Sequence, residues 1–93
     1  MIGSFRGRHT QALYEDGIER RAWHAIIEPA LRKLDMLAAA VAVGDLRSPP
    51  GNRLEKLGGD RKGQWSIRIN DQWRLCFRWT AAGAEDVEIV DDH

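Results

Sequence analysis

Apolar and polar positions follow two different periods along this chain, and the change falls past its middle. Between Trp23 and Val43 the apolar residues Ile27, Leu31, Leu34, Ala38 and Val41 recur every three or four positions, the spacing that lines one face of a helix. Pro29 lies inside that run, and proline lacks the amide hydrogen that an interior turn requires. The main helix is therefore expected to begin near Glu28, with residues 20–27 as a separate or bent turn. Upstream, HTQALYEDG reads as a short helix ended by Gly17, and IGSF as a short strand.

After the irregular GDLRSPPGN the period becomes two. QWSIRI sets Trp65, Ile67 and Ile69 against Gln64, Ser66 and Arg68, and QWRLCFRW sets Trp73, Leu75, Phe77 and Trp79 against Arg74, Cys76 and Arg78. A two-residue turn at Asn70-Asp71 would place Ile67 across from Arg74. Register follows the buried face, so a three-residue loop, Asn70-Asp71-Gln72, or an equivalent bulge, is predicted. It pairs Ile69 with Trp73, Ile67 with Leu75 and Trp65 with Phe77. AEDVEIV supplies a last strand with Val87 and Ile89 inward. The expected fold class is α+β: helices first, then an antiparallel meander whose apolar face they cover, all in one domain over residues 1–93.

Composition narrows the setting. At 93 residues, 43% of them apolar, with four tryptophans, the chain has room for a single core. No apolar run approaches the roughly 20 residues that span a bilayer, and MIGSFRGRH lacks the apolar stretch of a secretory signal. The single cysteine, Cys76, forms no intramolecular disulfide. A cytoplasmic protein without membrane contact is expected. The formal net charge is zero, but its distribution is uneven. Residues 53–79 hold seven Lys or Arg against three acids, whereas residues 80–93 hold five acids and no Lys or Arg.

The predicted register puts Arg68 directly across from Arg74, and Gln64 across from Arg78, on the face away from the helices, which is read as uncovered. Like charges opposed on a sheet are destabilising. They can be solvated, or neutralised by the acidic last strand, where Glu88 points to the same side. They can also form an anion site, because arginine offers a planar fork of donors matched to phosphate. Arg53, Lys56, Arg61 and Lys62 extend the basic field, so a nucleic-acid backbone is the natural guest of Arg53, Lys56, Arg61, Lys62, Arg68 and Arg78, the candidate RNA-binding residues. RNA cleavage would then need proton transfer. The chain ends in DDH: His93 transfers protons near neutral pH, and Asp91, Asp92 and Glu55 can hold or accept one. His9, His24 and Cys76 read as structural. GGDRKG lacks the spacing of a nucleotide-binding loop, and adjacent Asp91, Asp92 and His93 make a poor metal site, so no metal is expected.

MIGSF, PPGNRLEKLGGDRKGQWSIRINDQWRLCFRW and VEIVDDH, in this order, resemble the HigB toxins of the RelE superfamily, also called plasmid maintenance system killer proteins. LRSPPGNRLE is similar to the GraT-like subgroup. The resemblance implies a microbial RNase fold, a small curved antiparallel sheet with two helices packed on one side. It implies an endoribonuclease, a type II toxin that cuts mRNA in the ribosomal A site without metal or cofactor and so inhibits translation. The implied partners are a HigA-type helix-turn-helix antitoxin, the ribosome and mRNA, with operator DNA reached only through the toxin–antitoxin complex. By this match Arg74 falls on the arginine expected to stabilise the scissile phosphate, and Asp91 and His93 on the ends of a terminal Asp-Tyr-His. Asp92 replaces the tyrosine, and Glu55 stands where many HigB proteins have a histidine and is a candidate general base. Both changes make the site more acidic and point to weak activity. The alternative reading is therefore a weakened or inactive module that binds ribosome, RNA and antitoxin.

Overall fold

The computed structural model describes residues 1–91; Asp92 and His93, half of the predicted proton-transfer group, lie outside the described residues. Helix α1 spans Arg8–Asp16. Gly17 ends it at φ 67°, with its N–H donating to Leu13 O and that of Ile18 to Ala12 O, both at 3.1 Å. That left-handed closure costs glycine no Cβ clash. A 3₁₀ turn, Arg21–Ile26, leads into helix α2, Ile27–Ala39. Pro29 is the third residue of α2, within the first turn, where the amide has no intrahelical acceptor to lose. Ala30, Leu34 and Leu37 form its buried stripe.

The predicted run to Val43 is corrected at its end. Ala40 is extended, Val41 is 90% exposed, and Val43–Arg47 is a 3₁₀ turn. Asp45 Oδ2 accepts the N–H groups of both Val41 and Ala42 at 3.0 Å, so a side chain takes the donors that would have continued the helix.

The four strands, β1 (Glu55–Lys56), β2 (Trp65–Arg68), β3 (Trp73–Thr80) and β4 (Gly83–Asp91), form one antiparallel sheet in sequential order. The predicted hairpin register holds: Trp65 pairs with Phe77, Ile67 with Leu75 and Arg68 with Arg74. Asn70 Oδ1 shapes the connection by accepting the N–H groups of Gln72 and Trp73, each at 2.8 Å. In β4 an extra residue makes a bulge opposite Phe77, with Asp86 at φ 53°. IGSF adds no full strand. It runs parallel to β4 through single bridges, Ile2 to Ala84 and Phe5 to Val87, and these bonds occupy the edge that β4 would otherwise present.

Ile67, Leu75, Phe77, Val87 and Ile89 meet α2, Leu13 and Trp23 in one core. The tryptophans of the hairpin, Trp65, Trp73 and Trp79, are only partly buried at its margin. This is the expected α+β arrangement of two helices and a four-stranded antiparallel sheet. Among the described residues no helix is long and apolar enough to cross a membrane.

Candidate functional site

The sheet face away from the helices is not the uncovered platform that alternation suggested. Ser66 and Cys76 are buried and Arg74 is 9% exposed. The segment between β1 and β2 folds over this face, with the Leu57 N–H bonded to Gln64 O at 2.8 Å. Its Arg61 Nη1 donates to Glu88 Oε1 on β4 at 2.8 Å and to Gln64 Oε1 at 3.1 Å. Arg61 thus spans the sheet from its loop to the last strand. What remains is a pocket of about 280 Å³ lined by Leu57, Arg61, Ser66, Arg74, Cys76, Val90 and Asp91.

Arg74 holds the floor of that pocket. Its Nε donates to Ser66 Oγ at 2.8 Å, one Nη2 hydrogen goes to the Arg53 main-chain carbonyl at 3.1 Å, and Nη2 lies 3.8 Å from Glu55 Oε2. The Arg53 carbonyl is aimed by an unusual backbone, φ 46° and ψ 57°. Asn52, fully buried, braces the preceding turn. Its Nδ2 donates to Leu46 O at 3.1 Å and to Ser48 O at 3.4 Å, and its Oδ1 accepts from Lys33. Burial, and then the neighbouring charges of Arg32 and Arg68, hold the Lys33 ammonium pKa below its ordinary value.

The structure sorts the predicted basic residues into distinct environments. Arg74, Glu55, Asp91 and Arg61 gather at the pocket. Arg61 is matched to Glu88, and that hydrogen bond raises the pKa of its guanidinium, with burial opposing. Arg68 sits across from Arg74 but turns to Asp71 in the hairpin loop. Arg78 Nε lies 3.4 Å from Asp86 Oδ2. The acidic last strand therefore does neutralise part of the basic hairpin, at Arg61 and Arg78. Arg53 contributes its carbonyl, and its side chain is exposed, as is Lys62 on the covering loop. Lys56 pairs with Trp65, on the face opposite Arg74, with its ammonium 5.7 Å from the indole centroid; the fold does not bring it to the pocket. The Asp91 carboxylate accepts from Gln72 Nε2 at 3.1 Å.

Sequence reasoning passed over Ser66 and Asn52. The first had an available signal, a small hydroxyl diagonal to Arg74 in the predicted register. The second had none beyond its place in PPGN, because its partners come from a helix and a turn that alternation cannot align.

A buried guanidinium beside a carboxylate, in a concave pocket, is chemically able to hold an anion such as a phosphate next to a proton acceptor. Comparison with known proteins identifies the family. Residues 3–93 match the family described as RelE-like toxin of type II toxin–antitoxin system HigB. Over 80 residues, 85% of this chain and 84% of the relative, it is 50% identical to Toxin HigB-1 of Vibrio cholerae serotype O1. Over the full length of both chains it is 28% identical to Endoribonuclease HigB of Proteus vulgaris. The chain belongs to the HigB-like toxins, and as a type II toxin it has an antitoxin as its counterpart.

Proposed function

We propose that this toxin is an endoribonuclease that cleaves mRNA in the ribosomal A site and so inhibits translation. The observation that carries the reading is Arg74: a guanidinium at the base of a pocket, held by two oriented hydrogen bonds, with the Glu55 carboxylate 3.8 Å away. A phosphate seated on Arg74 brings the adjoining ribose within reach of that carboxylate. Glu55 takes the proton from the 2′-hydroxyl, the O2′–P bond forms, and the P–O5′ bond breaks. The leaving O5′ takes up a proton, leaving a 2′,3′-cyclic phosphate and a 5′-hydroxyl. Charge accumulates on the non-bridging oxygens as the bond forms, and Arg74 meets it there. His93 is assigned the acid, with Asp91 and Asp92 beside it, on the match to the family's terminal triplet. No step is routed through a metal or cofactor.

Exposed Arg53 and Lys62 supply backbone contacts to RNA, and Arg61, Arg68 and Arg78 contribute to the field while tied to Glu88, Asp71 and Asp86. Lys56 faces the other way and is assigned at most a contact with the ribosome. The counterpart is proposed to be a HigA-type helix-turn-helix antitoxin, with operator DNA bound through the complex, and the site of action the cytoplasm. A second reading, a weakened module that binds ribosome and antitoxin, draws on Asp92: an aspartate there cannot stack on a base and repels phosphate.

The test is mRNA cleavage on programmed ribosomes, comparing the parent with Arg74→Ala and Asp92→Tyr. The cleavage reading expects the parent to cut and Arg74→Ala to lose about 100- to 1,000-fold in rate, the usual cost of removing one charge-stabilising donor. Cutting by Asp92→Tyr alone would establish the second reading. Failure of both to cut at confirmed ribosome binding would overturn the assignment of cleavage.

A further inference from the structure

Ser66 was not among the residues expected to act, yet its environment is that of a functional group. It is fully buried on β2, lines the pocket, and its Oγ accepts the Arg74 Nε–H at 2.8 Å. The Arg53 carbonyl accepts from Nη2 of the same guanidinium at 3.1 Å. The two acceptors bind different nitrogens of one rigid plane, so together they fix its tilt and its rotation about the Nε–Cζ axis. A hydroxyl on β2 and a main-chain carbonyl from the turn before β1 therefore set where its remaining donors point.

We infer that Ser66 is the positioning residue for the phosphate-binding arginine, working with the Arg53 main-chain carbonyl as a clamp that orients Arg74. This rests on the cleavage reading for its catalytic consequence but not for its geometry. Backbone carries half of the clamp. Arg53 adopts the left-handed conformation, which a non-glycine side chain occupies only at a cost. Buried Asn52 ties the turn before it to Leu46, Ser48 and Lys33. The LRSPPGNRLE segment thereby gains a physical role: its Asn52-Arg53 step presents a carbonyl to the arginine of a strand 21 residues away in sequence. On a guanidinium whose plane is free to swing, the donors would meet the scissile phosphate in only a fraction of orientations, and misplacement of about 1 Å can cost 100-fold.

The experiment compares the parent, Ser66→Ala and Ser66→Thr in two measurements. Threonine keeps the hydroxyl, and its added methyl has the adjoining pocket to occupy. The first measurement is the NMR correlation of the Arg74 side-chain Nε–H, assigned by its disappearance in Arg74→Ala. The clamp predicts a discrete, slowly exchanging signal in the parent and in Ser66→Thr, and accelerated exchange in Ser66→Ala. A fast-exchanging signal in the parent, or an unchanged one in Ser66→Ala, overturns the clamp whatever the activity. The second is single-turnover cleavage on programmed ribosomes carrying mRNA with a phosphorothioate at the scissile position, one diastereomer at a time. Ser66→Ala is expected to lose roughly 10- to 100-fold in rate, with unchanged ribosome affinity and a reduced preference between diastereomers; Ser66→Thr restores both. A Ser66→Ala protein that cleaves at the parental rate with the parental preference overturns the positioning role. If none of the proteins cleaves while the signal behaves as predicted, the cleavage reading fails and the clamp stands as a phosphate-binding device.

Discussion

The loop that roofs the pocket is tied to β4 by a contact between residues 27 positions apart, Arg61 to Glu88, and its removal should be measurable both globally and locally. The Arg61 side chain is 36% exposed and that of Glu88 19%, so solvent screens the pair in part. A fully exposed pair contributes about 0.2–1 kcal/mol, and a hydrogen bond to a charged group in a drier setting about 1.5–3 kcal/mol. This pair sits between the two, and a coupling energy of about 1 kcal/mol is expected. Arg61→Ala should cost more than the coupling, about 1–2 kcal/mol, because it also removes the bond to Gln64 and leaves Glu88 half-buried with Arg6 Nε 4.0 Å away. Glu88→Gln keeps the shape and loses the charge, and should cost about 1 kcal/mol. The assay is a double-mutant cycle by urea denaturation at low and high salt, with trypsin cleavage after Lys62 as the local readout. Both single variants should be cut faster at the loop, and salt should shrink the coupling. A coupling below about 0.3 kcal/mol, within the error of additivity, together with parental resistance of the loop to trypsin, would refute the claim that this contact closes the roof.

Three further outcomes are expected. Glu55→Gln should slow cleavage on programmed ribosomes by at least about 100-fold, the lower range for a general base, while leaving the melting temperature unchanged, because Glu55 is exposed and its 3.8 Å approach to Arg74 is loose; full activity would remove it from the mechanism. Asp45 is held below its ordinary pKa of 3.8 by the amides of Ala42 and then Val41, so its contribution is present above that value and lost as pH falls through the lower folded-state pKa. Melting of the parent should therefore exceed that of Asp45→Asn at neutral pH, and the difference should vanish in strong acid; a constant difference would contradict the capping role. Gly83→Ala should destabilise by about 1–3 kcal/mol or release the N-terminal segment, because φ is +106° and a Cβ would lie 2.4 Å from Met1 O; unchanged thermal melting together with unchanged amide protection at Gly3 would refute it.

Different parts of this fold were legible to different depths, for reasons that lie in the physics. The hairpin register could be read because alternation is strict on both strands and a one-residue slip would expose every apolar side chain. The start of α2 could be read because Pro29 tolerates few positions. Its end could not: Asp45 captures two backbone donors from outside the helix, and nothing in the periodicity marks that competition. The orientation of Lys56 was equally hidden, since β1 is two residues long and offers no alternation. The covered state of the Arg74 face was the largest miss. Alternation tells which side chains share a face, but whether a loop lies over that face depends on distant pairs such as Arg61–Glu88.

The charge asymmetry of the sequence acquires a specific meaning once those pairs are placed. Around the pocket, Arg61 lies against Glu88, Arg78 against Asp86 and Arg68 against Asp71. Each pairing fixes a loop, a bulge or a turn, and each spends the charge of its arginine on structure. Arg74 turns the other way: its Nε and Nη2 donate to Ser66 Oγ and the Arg53 carbonyl, and Nη2 stands 3.8 Å from Glu55 Oε2. Turning Arg68 outward to Asp71 and Arg74 inward to the pocket separates the two guanidinium groups that the register sets opposite each other. The acidic last strand, through Glu88 and Asp86, secures the arginine of the covering loop and that facing the bulge, while the arginine at the pocket floor is oriented from β2 and from the turn before β1.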